Sequence, residues 1–206
     1  SIFRNIFINF KETTANFVVI FKNPVLLKAF SNSALFDALF KTVKDYIQPI
    51  MKAFALSLPV LVFLKEKRST ILIAVIYFIL YFLTSIASRN AGKFKRKCRS
   101  LASSINVTYL VGILFVMFSG LFYFLGWEIA AVVFFILLFI IQNLRRPLNV
   151  GFLSEIIPGK VMASGLSAES QIKAILVAVL SPLMGFFADK FGIGIALLIL
   201  SIFVII

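Results

Sequence analysis

The chain has 206 residues, 61% hydrophobic and only 14% charged, with 25 Phe and a mean hydropathy of +1.05. A soluble domain is typically about a quarter charged, so this composition excludes a soluble globule and indicates an integral membrane chain. The net charge of +13 lies between apolar spans and in no separate polar domain, which argues against a nucleic-acid partner and for lipid headgroups.

Residues 1–22 come first. Phe3, Ile6, Phe7, Phe10, Phe17, Val18 and Phe21 recur at three- and four-residue steps among Arg4, Lys11 and Lys22. That pattern predicts an amphipathic helix on the cytoplasmic membrane surface, broken at Thr13 and Thr14. A bilayer span needs about 20 mostly apolar residues. Six segments meet or approach that length: 23–52, 69–90, 103–125, 127–147, 162–187, and a last one from Gly194 to the end of the sequence. Asn23 and Pro24 suit a helix start. The expected fold class is therefore all-α and integral to the membrane, with six spans in one bundle over 23–206. The first residue is Ser, and the sequence ends in the apolar run "SIFVII"; both ends read as cuts in a longer chain.

Short turns at Gly126-Trp127 and at "FGIGI" make the third and fourth spans antiparallel neighbours, and likewise the fifth and sixth. Thr84, Ser88 and Gly92 recur at four-residue steps and predict a close-packing face on the second span. Pro147 predicts a kink. With the N-terminus in the cytoplasm, inner segments hold thirteen of the 21 basic residues and outer segments five, which favours that orientation and a plasma-membrane location.

The first span carries charge. At about 100° per residue, Asp37, Lys41, Lys44 and Gln48 share one stripe, with Asp45 at its edge. Each charge at mid-membrane costs at least about 2.5 kcal/mol, so the stripe must face other helices or a wet cavity. Asp37 with Lys41 and Lys41 with Asp45 are spaced to form i,i+4 pairs. These five residues are the candidate pathway, joined by Gln142 and Asn143 of the fourth span. Glu169 and Lys173, again i,i+4, are candidates for gating or for pairing at the end of the fifth span. Arg145 and Arg146 can face the cavity or snorkel to the inner headgroups, at least one of them doing the latter. The second, third and sixth spans have no charge in their apolar cores, which separates cavity-lining from lipid-facing helices.

Chemistry is constrained by what is missing. The sequence contains no His, and Cys98 is its single cysteine. His triads, His metal sites and an internal disulfide are excluded. Cys98 lies in the basic run "KFKRKCRS", which favours its thiolate, though an incidental thiol is the simpler reading. No catalytic activity, cofactor or metal is expected.

Several stretches resemble the major facilitator superfamily. "DALFKTVKDYIQPIM" resembles its seventh helix. "SIASRNAGKFKRK" resembles the basic loop after its eighth helix, without the Asp of the family's Gly/Asp/Arg motif. Arg146-Pro147, Pro158, the Ser/Glu/Ser stretch around Glu169, Ser181-Pro182, Gly185, Ala188-Asp189 and Phe191-Gly192 resemble its tenth and eleventh helices. The resemblance covers the chain from about residue 23 onward. It implies the C-terminal six-helix half of a twelve-helix secondary transporter, with residues 1–22 alternatively a linker between halves. The first and fourth spans would line the cavity, and the third and sixth would be outer helices. The implied partners are the lipid bilayer, an N-terminal six-helix half of the same chain and a small-molecule substrate; H+ is a candidate coupling ion, which Asp37 or Asp45 could carry if burial raises its pKa. The competing classes are a non-transporting membrane scaffold or receptor, a lipid enzyme in the membrane, and the transport domain of an ATP-driven system.

Overall fold

The structure, a computed structural model, describes residues 24–57, 67–157, 159 and 162–205. Among them there is no strand. The helices are α1 (Pro24–Val43), α2 (Ile47–Ser57), α3 (Lys67–Arg89), α4 (Ala91–Lys97), α5 (Leu101–Phe124), α6 (Glu128–Ile156), α7 (Met162–Phe191) and α8 (Ile193–Ile205). Four are long and apolar enough to cross a membrane: α3 from Thr70, α5, α6 and α7. The surface helix expected over 1–22, much of the loop after the first span, Pro158 and Lys160 lie outside the described residues.

The first span is not one continuous helix. A 3-10 turn over Lys44–Tyr46 separates α1 from α2. A 3-10 turn winds at 3.0 residues per turn, so it shifts the helical phase of α2 relative to α1. The fourth span also differs from expectation. It continues past Pro147 to Ile156, giving a helix of about 44 Å, longer than the hydrocarbon core. Pro147 has no N–H for the Asn143 carbonyl, yet the flanking turns stay helical.

The turn between α5 and α6 is built by its sequence. Gly126 takes φ +77°, a conformation costly for any residue with a Cβ. Its N–H donates to Tyr123 O at 3.1 Å, and Trp127 N–H donates to Phe122 O at 2.8 Å. This pair of bonds is a Schellman cap. The apolar contact that goes with it is here aromatic: the Phe122 and Trp127 rings stack at 5.7 Å. Phe134 of α6 stacks on Phe122 at 5.4 Å and meets Phe118 at 5.3 Å. Some of the 25 Phe thus lock an antiparallel helix pair.

α5 lies between α6 and α8, α1 packs on α7, and α3 packs on α6. In lipid, association depends on close packing and polar contacts rather than on hydrophobic burial. Two backbones come close where α5 crosses α8. A Cβ on Gly120 would stand 2.8 Å from Gly194 O, and one on Gly194 would stand 2.9 Å from Gly120 O. Of the expected Thr84, Ser88 and Gly92, only Thr84 is buried. Ser88 is exposed, nothing lies within 4 Å of a Cβ at Gly92, and Thr84 donates its hydroxyl to Tyr81 O of its own helix at 3.1 Å. Four-residue spacing marks a face that can pack, but the fold decides which such face meets a neighbour.

Burial is uneven. The most apolar windows of α5 and α6 are 33% and 28% buried, those of α3 and α7 only 17% and 11%. The third span, expected on the outside, is the most enclosed of the four within this chain. Its Ser104, Thr108, Gly112 and Ser119 are all buried against neighbours.

Candidate functional site

Three helices supply the site. α1 presents Asn32, Ser33, Phe36 and Asp37, which share a face by helical spacing. α6 presents Gln142, Arg145 and Asn149 at steps of three and four. α7 presents Glu169 and Lys173 one turn apart.

Asp37 is held at both oxygens. Its Oδ1 accepts from Gln142 Nε2 at 2.9 Å, and its Oδ2 accepts from Lys173 Nζ at 3.1 Å. Lys173 also reaches Glu169 Oε2 at 3.9 Å. Glu169 Oε1 accepts from Ser33 Oγ at 2.8 Å, and Ser33 Oγ in turn accepts from Asn149 Nδ2. Six side chains from three helices form one chain of contacts carrying two carboxylates and one ammonium. Glu169 is buried, and the Asp37 and Lys173 side chains are 24% and 18% exposed. Such a set is stable in a low dielectric only when the charges are paired and their remaining sites bonded. Gln142 Oε1 is buried without a partner.

The expected pairing within the first span is corrected. Ion pairs among the described residues are Lys95 with Glu155, Lys173 with Asp37, and Lys173 with Glu169. Asp37–Lys41 and Lys41–Asp45 are not among them. Lys41, Lys44, Asp45 and Gln48 are exposed, while Asp37 is half-buried. Asp37 faces α6 and α7; Lys41 follows one turn later, near the end of α1, and Lys44, Asp45 and Gln48 lie at or beyond the 3-10 turn. The Glu169–Lys173 pair forms as its spacing predicts, and Lys173 has the additional partner Asp37.

The stripe borders an opening. Lys41, Thr42, Asp45, Tyr46 and Pro49 of the first span and Ser181 of α7 line a cavity of about 340 Å³. The Thr42 and Ser181 hydroxyls in its lining are hydrogen-bonded to each other at 3.3 Å. Gln48 comes within 3.5 Å of the Tyr77 hydroxyl on α3. Asn143 donates to Phe139 O of its own helix at 2.9 Å and makes no bond to the Asp37 set.

The two arginines part company. Arg146 is exposed, whereas Arg145 is 1% exposed. Arg145 donates to Ile105 O, to Thr108 Oγ1 at 3.1 Å, and to both the backbone carbonyl and the side-chain oxygen of Asn32. Its guanidinium lies over the Phe36 ring at 4.7 Å and near Tyr109 at 5.6 Å. It joins α1, α5 and α6 through neutral acceptors and ring faces. Asn32, Thr108 and Asn149 were not expected at the site. Asn149 stands seven residues after Gln142, two helical turns on the same face, and that spacing was the available signal.

The chain matches no protein family, no curated protein and no solved structure.

Proposed function

We propose that the chain is the C-terminal six-span half of a secondary transporter, a permease of the major facilitator type, moving a small solute across the plasma membrane by alternating access. α1 and α2 together form the first span, and α8 belongs to the sixth. The N-terminal side faces the cytoplasm, and H+ is a candidate coupling ion. One observation carries the reading: the Asp37–Lys173–Glu169 set joins α1 to α7, is tied to α6 through Gln142, and sits one turn from a polar opening lined by Lys41, Thr42, Asp45 and Ser181. Ionisable groups at membrane depth are costly and by default mark a pathway. A site at the interface of two helical halves is the usual architecture of such carriers. The low burial of α3 and α7 supports a second half packing there.

A scaffold or receptor would keep its charges paired and dry with no opening beside them; here Lys41 and Asp45 are exposed at one. Thiol accessibility separates the two readings without knowledge of the solute. Thr42→Cys and Ser181→Cys are made in the full natural chain with Cys98 and other cysteines replaced, and membrane-impermeant reagents are applied from each side. Alternating access predicts labelling from both sides. Labelling from one side only, or from neither, would exclude transport through this site.

A further inference from the structure

A second cavity, also about 340 Å³, lies between α1, α5 and α6. Its walls are mainly apolar, and Ile105, Ala102 and Phe152 form part of them. Its polar groups are Lys28, Asn32 and Asn106, with no carboxylate among its lining residues. Asn32 and Ile105 are two of the residues that bind the Arg145 guanidinium. A buried cation therefore stands directly behind this wall. Among the described residues no carboxylate lies within 4.0 Å of the Arg145 guanidinium, Asp37 acting on it only at longer range, and its Nε is buried without an acceptor. Both Asp37 oxygens are already taken by Gln142 and Lys173.

The cavity opens at the basic end of the bundle. α4 packs through Ala91 and Phe94 on Leu101, Ile105, Leu148 and Phe152, two of which are cavity walls. Its Lys93, Arg96 and Lys97 are exposed, as is Lys28. Ala102 lies in the first turn of α5, where the helix dipole adds positive potential.

We propose that this cavity is a binding site for one anionic phospholipid, with acyl chain against the apolar walls and phosphate at Lys28, Asn32 and Asn106. Apolar walls need an amphiphile, and a lining whose one charged group is the Lys28 ammonium, with exposed cations on the α4 helix that packs against two of its walls, selects a negative headgroup. The site is separate from the opening at Lys41 and Ser181, so lipid here would brace α1 against α5 and α6 without entering the solute path.

Native mass spectrometry of the full natural chain in detergent, titrated with dioleoyl phosphatidylglycerol or dioleoyl phosphatidylcholine, tests this. The wild type should retain one phosphatidylglycerol in preference to phosphatidylcholine. Lys28→Ala should weaken retention about fivefold, the effect of one lysine at an anionic headgroup. Ala102→Trp fills the cavity from an exposed position and should abolish retention. Lys190→Ala, at the far end of α7, should leave it unchanged. Equal retention of both lipids, wild-type retention by Ala102→Trp, or release of phosphatidylglycerol by excess inorganic phosphate would each overturn the assignment.

Discussion

Lys173 is shared by two carboxylates, so removing it and removing either acid are not equivalent. At an effective dielectric of about 20, a charge pair at 3.1 Å is worth about 5 kcal/mol and one at 3.9 Å about 4 kcal/mol. Desolvation of the three groups offsets most of that. Lys173→Met leaves Asp37 and Glu169 as two unpaired negative charges between α1 and α7, a loss of about 3 kcal/mol. Asp37→Asn keeps an acceptor for Gln142 and leaves Lys173 with Glu169, a loss of about 1 kcal/mol. The double variant leaves only Glu169, still bonded by Ser33, and should lose about 2 kcal/mol, less than the sum of the single losses. Reversible unfolding of the full chain in mixed detergent and dodecyl sulfate micelles, monitored by helical circular dichroism, measures all three. Equal losses for both single variants, or strict additivity in the double, would refute the shared-lysine geometry.

Helix packing sets three further outcomes, each read by the same unfolding titration. Gly126→Ala should cost about 1–2 kcal/mol because its φ of +77° is left-handed; no loss would mean that the Schellman cap is not formed. Gly120→Leu should cost about 3 kcal/mol, since its first side-chain atom alone would meet Gly194 O and Leu197 Cβ at 2.8 Å, while Gly92→Leu should be close to neutral. Arg145→Met should cost about 3 kcal/mol by removing the buried bonds that tie α1 and α5 to α6 and leaving the Asn32 side-chain oxygen without its donor, against about 0.5 kcal/mol or less for the exposed Arg146→Met; equal effects would contradict the inward placement of Arg145.

Composition determined the class of molecule: a chain this apolar hides its backbone polar groups in helices, because a bilayer core offers no water to bond them. Local spacing determined what lies within one turn. Gly126, with Trp127 after it, builds its cap from neighbours in sequence, and Glu169 meets Lys173 because helical residues four apart always face one another. Asp37 shows where this stops. Lys41 is also four residues away, yet the carboxylate pairs with Lys173, 136 residues distant. A charge in a membrane protein takes the partner that shares its low-dielectric environment, and only helix packing sets which side of α1 is enclosed and which is open. The same reason separates Arg145 from Arg146, adjacent in sequence and about 100° apart on the helix. It also brings two backbones together at Gly120 and Gly194 while leaving Ser88 and Gly92 without a neighbour to pack on among the described residues.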